Sequence, residues 1–190
     1  MRVVLMGPPG SGKGTQGERL AARYGVPAIS TGSIFRDNLT AGTELGRLAQ
    51  EYMSQGKYVP DEVTNTMVRE RLDQPDAARG FLLDGYPRTT AQVDELDDIL
   101  RDHGVALEAV IELIADVEEL VDRLLRRAHE QGREDDTEET IRTRQKVYAD
   151  QTAPLTRIYA DRGMLLRVDG VGEMDVVAKR LSDTLDAFLG

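Results

Sequence analysis

Between Val3 and Thr15 the chain reads Val-Val-Leu-Met-Gly-Pro-Pro-Gly-Ser-Gly-Lys-Gly-Thr, which brings glycines, a lysine and a threonine together at a spacing suited to holding an anion. Gly7 to Gly12 can take the positive φ angles of a tight curl, which turns backbone N–H groups inward. From about Lys13 the chain can become helical, so unpaired amides and the positive end of a helix dipole aim into the same curl. Lys13 adds a mobile point charge for β and γ phosphates. Thr15 stands one place later than G-x-x-x-x-G-K-[ST] expects, and Gly14, with no side chain to offer a metal ion, fills the usual slot. A glycine-rich turn without a ligand is the bland alternative. The flanks argue against it: Val3 to Met6 have the length and branching of a buried strand, and Leu20, Ala21 and Tyr24 follow at helical spacing.

A phosphate loop needs a strand before it and a helix after it, and the remaining chain repeats that alternation. Short apolar runs at Val3 to Met6, Val26 to Ile29, Phe81 to Leu83, Val110 to Ile114 and Met164 to Val168 predict five strands. Between them, Val93, Leu96, Ile99 and Leu100 mark one helical face, and Val117, Leu120, Val121, Leu124 and Leu125 mark another. Val177, Leu181, Leu185 and Phe188 make the last such stripe, and all three stripes read as core. Thr137 can cap a helix running toward Asp150, and Thr152 can cap one with Pro154 in its first turn. Strands separated by helices imply parallel pairing with right-handed crossovers, hence a three-layer α/β domain.

Two stretches fall outside that alternation. About fifty residues separate the second and third strands, too many for one crossover helix, so Ser30 to Val59 reads as an inserted helical subdomain broken at Gly42, Gly46 and Gly56. The other is Arg126 to Asp136, a charged break between two helical patterns; such runs are usually solvated loops.

Composition narrows the partners. With 190 residues, 40% hydrophobic and 31% charged, the chain suits one globular domain. No run approaches the ~20 apolar residues of a membrane span, and the short apolar start, cut off at once by glycine and proline, predicts no secretory segment. Zero cysteines exclude disulfides and thiolate metal sites and suit the cytoplasm. A net charge of −10 argues against a general nucleic-acid binder. Any anionic ligand must meet a local cluster of cations, and among the 24 basic residues only Lys13, Lys57, Lys146 and Lys179 are lysines. Arginine's planar fork suits phosphate.

Several further pieces, taken in order with the loop, carry a family resemblance. They are Ile-Ser-Thr-Gly-Ser-Ile-Phe-Arg (29 to 36), Gly-Lys-Tyr-Val-Pro-Asp (56 to 61), Gly-Phe-Leu-Leu-Asp-Gly-Tyr-Pro-Arg (80 to 88), Gln92, Gly-Arg-Glu-Asp-Asp-Thr (132 to 137) and Thr-Ala-Pro-Leu (152 to 155). With Gly-Pro-Pro-Gly-Ser-Gly-Lys-Gly-Thr-Gln (7 to 16), they resemble the nucleoside monophosphate kinases, and among these the adenylate kinases with a short lid. Gly-Lys-Gly-Thr is that family's own form of the loop. The resemblance implies a P-loop kinase fold with a five-stranded parallel sheet, a core of 1–29, 60–125 and 137–190, a monophosphate-binding insertion at 30–59 and a lid at 126–136. It implies phosphoryl transfer between ATP, AMP and ADP by a cytoplasmic monomer, with Mg²⁺ carried on ATP and no structural zinc.

The same resemblance distributes roles. Gly10, Ser11, Gly12, Lys13, Gly14, Thr15, Arg127 and Gly172 would hold ATP. Thr31, Arg36, Lys57, Tyr58, Val59, Gly85, Tyr86, Pro87, Arg88, Gln92, Arg133 and Arg144 would hold AMP, with Arg36 and Arg88 on its phosphate and Thr31 and Gln92 on the adenine edge. Arg127, or its neighbour Arg126, would join Arg133 and Arg144 on the transferring group, and Asp84 would orient Mg²⁺ through waters. The acceptor phosphate has a second pKa near ~6 and is ionised at neutral pH, so no general base is needed; His103 and His129 read as surface residues. A pyrimidine monophosphate kinase is the nearest rival, and a P-loop nucleotide switch the rival from another class. No Asn-Lys-x-Asp guanine reader occurs in the sequence.

Overall fold

The computed structural model describes residues 1–131 and 137–190, apart from the side chains of 117, 118, 127 and 129–131. Its centre is a five-stranded parallel sheet in the order β2-β3-β1-β4-β5. The strands are β1 (Arg2–Met6), β2 (Ala28–Ser30), β3 (Phe81–Asp84), β4 (Ala109–Ile114) and β5 (Leu165–Asp169). In register, Val4 lies beside Leu83 on one side and Val110 on the other. The second strand starts later than its apolar run. Val26 N–H is still bonded to Ala21 at the end of the preceding helix, and Pro27 has no N–H to give a ladder.

Among the described residues the helices are α1 (Lys13–Tyr24), α2 (Thr31–Thr40), α3 (Glu44–Met53), α4 (Asp61–Leu72), α5 (Thr90–Asp102), α6 (Val117–Gln131), α7 (Glu138–Val147), α8 (Leu155–Asp161) and α9 (Met174–Leu189). Alternate strand residues face opposite layers. Val3, Leu5, Ile111 and Val168 pack on Leu20 and Ala21 of α1 and on Val177, Leu181 and Leu185 of α9. Val4, Leu83 and Val110 pack on Val93, Leu96 and Ile99 of α5, Leu72 of α4 and Tyr159 of α8. Leu96 and Ile99 are wholly buried, each contributing about 1.5–3 kcal/mol from apolar burial. The result is the three-layer fold expected. The long β2–β3 connection contains α2, α3 and α4, with Ser30 and Thr43 accepting from Ser33 N and Gly46 N as helix caps.

Three expectations need correction. The charged stretch from Arg126 does not break the helix there, since α6 continues to Gln131; arginine, alanine, glutamate and glutamine are compatible with helix whatever their charge. The apolar stripes overreach at two ends, because Leu125 and Phe188 are exposed, lying off the faces that meet the sheet. Thr152 does not cap α8. It lies in a π-turn, Tyr148–Thr152, and Pro154 precedes the helix instead. Thr137 does cap α7, accepting from Thr140 N.

Candidate active site

The chain reverses direction across the sheet at β1, whose neighbours β3 and β4 lie on either side, and ligands of open parallel sheets bind at the carboxyl ends beside such a point. Here β1 runs into Gly7–Gly12, where Gly7, Gly10 and Gly12 all have positive φ. At Gly10 the φ of 89° coincides with close packing: a Cβ would stand 2.9 Å from Leu120 O and 3.0 Å from Leu124 Cγ. Helix α6 therefore lies directly on the loop, and only glycine fits beneath it. Lys13, the first residue of α1, reaches back and donates to Gly7 O at 2.7 Å and Pro8 O at 2.9 Å. From the other side Gln145 of α7 donates to Pro9 O at 2.8 Å.

Beyond β3 a second set of groups is assembled around one carbonyl. Gly85 O accepts from Thr31 Oγ1 at 3.0 Å and from Arg88 Nε at 2.8 Å. Gly85 has φ 81°, and a Cβ there would be 2.7 Å from Thr31 Oγ1, so a side chain would push both partners apart. Gln92 is buried at 1% exposure. Its Oε1 accepts from Arg88 N at 2.7 Å and its Nε2 donates to Asp61 Oδ1 at 2.7 Å, which leaves one N–H and one lone pair for a ligand. Tyr86 donates to Asn65 at 2.9 Å. Burial, reinforced by the carboxylates of Glu95 and Asp61, raises its phenol well above the usual range, so it remains a donor.

The two sets face one cleft of about 810 Å³. Gly10, Gly12, Lys13, Gly14 and Thr15 line it from the loop, and Thr31, Arg36, Lys57, Tyr58 and Val59 from the insertion. Asp84, Gly85, Tyr86, Pro87, Arg88 and Gln92 line it from the end of β3, and Arg144 from α7. Asp84 accepts from Ser30 Oγ at 3.3 Å. Ser11, within the loop, is buried at 1% exposure and is not part of the lining. Gly172 lies outside the lining, on the exposed turn after β5. Arg126 is exposed and also outside it. Arg133 and the side chain of Arg127 lie outside the described residues.

Sequence reasoning missed Arg123, Tyr148 and Thr152, which also line the cleft. Arg123 bonds Glu119 one turn earlier at 2.5 Å. No local pattern marks it: it adjoins Leu124, whose contact with Gly10 exists only in the tertiary packing. Tyr148 had no signal either: the π-turn that carries it leaves no periodic trace. Burial, then the negative charge of Glu112, raises the Tyr148 phenol above its usual range. Arg144 donates to Met53 O at 3.3 Å, and Thr140 Oγ1 to Ser54 O at 3.5 Å, so α7 meets carbonyls at the end of α3, Met53 O also accepting from Gly56 N at 3.0 Å.

Comparison with known proteins agrees with this geometry. The adenylate kinase family model matches residues 5–164. An adenylate kinase of Nocardioides sp. is 58% identical over 188 residues, covering 99% of this chain and 98% of that protein. An adenylate kinase of Kocuria rhizophila is 58% identical over 185 residues (97% and 98%), and one of Thermobifida fusca 54% over 185 (97% and 98%). The match runs along nearly the whole length, and the chain belongs to the adenylate kinase family.

Proposed function

We propose that the adenylate kinase reaction, transfer of the γ-phosphoryl group of ATP to AMP with formation of two ADP, takes place in this cleft. The observation that carries the reading is that Lys13 and the phosphate loop share one continuous cavity with Arg36 and Arg88. A switch or a simple ATPase has no use for a second set of cations facing the first. The loop amides, the N-terminus of α1 and Lys13 hold the donor's phosphates, and Arg36 and Arg88 hold the acceptor's, arginine offering two parallel N–H groups to one phosphate. An ionised oxygen of AMP attacks the γ phosphorus, and the bond from that phosphorus to the bridging oxygen of ADP breaks. No proton moves. The work is alignment and charge neutralisation, and Arg144, with Arg133 and Arg127, converges on the transferring group.

Residues 30–59 act as the monophosphate-binding domain and 126–136 as the lid that excludes water before transfer. Thr31 and Gln92 read the adenine of AMP; the free N–H and lone pair on Gln92 support this. Gly172 borders the adenine of ATP. Magnesium enters on the nucleotide. Asp84, a carboxylate ending β3 inside the cleft, fits an ion that keeps several waters and needs few protein ligands, and Mg²⁺ held there through waters would neutralise phosphate charge. The absence of cysteine supports a reducing compartment, the cytoplasm.

The test is a coupled assay with ATP as donor and AMP, CMP, UMP or dTMP as acceptor. The proposal expects AMP to be the preferred acceptor; preference for a pyrimidine monophosphate would move the chain to the sister activity, and ATP hydrolysis without any acceptor would remove the transfer reading.

A further inference from the structure

Tyr58 sits in the loop between α3 and α4 and touches Arg88 in two ways. The guanidinium carbon of Arg88 lies 4.7 Å from the centroid of the Tyr58 ring. The Tyr58 hydroxyl lies 2.8 Å from Thr152 Oγ1, 94 positions away, and Thr152 donates to Arg88 O at 2.9 Å. A threonine hydroxyl has one proton. Since Thr152 gives it to Arg88 O, Tyr58 is the donor in the first contact, and the bonds run in one direction from Tyr58 to Thr152 to the Arg88 carbonyl. Successive bonds of this kind polarise one another. The circuit closes on itself: it begins at the ring that carries the guanidinium and ends on the backbone of the same arginine.

The guanidinium is otherwise held at one edge. Nε donates to Gly85 O at 2.8 Å, which leaves the terminal nitrogens for the cleft. An arginine that must grip a phosphate with a planar fork loses affinity if the fork has to be ordered when the ligand arrives. The π-turn has a reason here. It carries Thr152 inward from the helix that bears Arg144, so one short segment touches both sides of the cleft.

We propose that Tyr58 is a positioning residue that pre-orients Arg88 for the phosphate of the acceptor nucleotide, its ring through the cation and its hydroxyl through Thr152. This rests on the assignment of Arg88 to the acceptor phosphate. It predicts an effect confined to one substrate. Tyr58→Phe keeps the ring and breaks the relay, while Tyr58→Leu removes both.

The experiment measures KM for AMP and for ATP, and kcat, in Tyr58→Phe, Tyr58→Leu, Arg88→Lys and the double variant Tyr58→Leu/Arg88→Lys, each checked by thermal melting. Tyr58→Leu should raise KM for AMP about fivefold to thirtyfold, Tyr58→Phe by about threefold, with KM for ATP within about twofold for both. In the Arg88→Lys background, where position 88 has no planar cation left to orient, Tyr58→Leu should add less than about twofold. A structural tether alone would lower the melting temperature and leave the AMP-to-ATP ratio of KM values unchanged, and that result overturns the proposal. So does an undiminished Tyr58→Leu effect in the Arg88→Lys background. If Arg88→Lys itself leaves KM for AMP unchanged, the assignment of Arg88 to the acceptor falls instead. Tyr58→Phe keeps the test decisive if Tyr58→Leu fails to fold.

Discussion

Gln145 donates from Nε2 to the carbonyl of Pro9 at 2.8 Å, joining α7 to the crest of the phosphate loop across 136 positions of sequence. The helix that presents Arg144 to the cleft is thereby held against the loop proposed to take the donor's phosphates. Gln145→Leu would leave a part-buried carbonyl without its donor, and the expected loss is about 1 kcal/mol of folding stability in denaturant titration. KM for ATP should rise more than KM for AMP. Equal shifts for both nucleotides would show that the contact serves the fold and not the loop.

Lys13→Met should remove phosphoryl transfer while leaving the protein folded. On the proposed mechanism the ammonium group supplies point charge to the donor phosphates; it also donates to the carbonyls of Gly7 and Pro8, and its loss costs the scaffold only about 1 kcal/mol. Turnover measured beside a thermal melt decides it. Near-normal turnover would sink the phosphate-loop assignment.

Gly10→Ala should destabilise the protein by about 1–3 kcal/mol, because the new methyl group combines a left-handed backbone with contacts near 3 Å to α6. Differential scanning calorimetry should show a lower melting temperature, and KM for ATP should increase as the loop is displaced. An unchanged melt would mean that α6 yields without cost.

AMP should exceed CMP as acceptor by at least tenfold in kcat/KM, since one lost buried base contact costs about 1.4 kcal/mol or more. Gln92→Leu should narrow that ratio. It would also release Arg88 N and Asp61 from their shared partner, so the ratio between acceptors, and not the absolute rate, is the quantity to follow. Equal values for the two acceptors in the unaltered protein would refute the role given to Thr31 and Gln92.

Arg144→Ala should lower kcat in single-turnover transfer and leave nucleotide Kd within a few fold, the pattern of a contact made in the transition state. Arg133→Ala should show a mixed pattern. If the two arginines act on one group, the double variant loses less in free energy than the sum of the single losses. Strict additivity would assign them to separate sites.

Local signals in the chain were enough to identify the glycine curl after β1, the five strands and the presence of extra helices between β2 and β3. Strand and helix periodicity depends on neighbours within a few positions, and positive-φ curls depend on glycine itself. The charge of α6 misled because charged side chains are compatible with helix, and helix ends were harder to read than helix faces. Leu125 and Phe188 continue an apolar spacing past the surface that covers it, which no periodic count can detect.

By itself, the sequence determined the fold class, the glycine curl between the first strand and the first helix, and the order of motifs that marks the family. Tertiary structure decided which distant groups share an atom. Gly85 O gathers Thr31 and Arg88, Gln145 reaches Pro9, and Thr152, which local sequence offers as a helix cap, instead joins Tyr58 to the backbone of Arg88. Such pairings arise because parallel strands separated by long crossovers bring remote loops together at their carboxyl ends. A hydroxyl or amide there bonds whatever partner the packing supplies, and no local pattern records that choice.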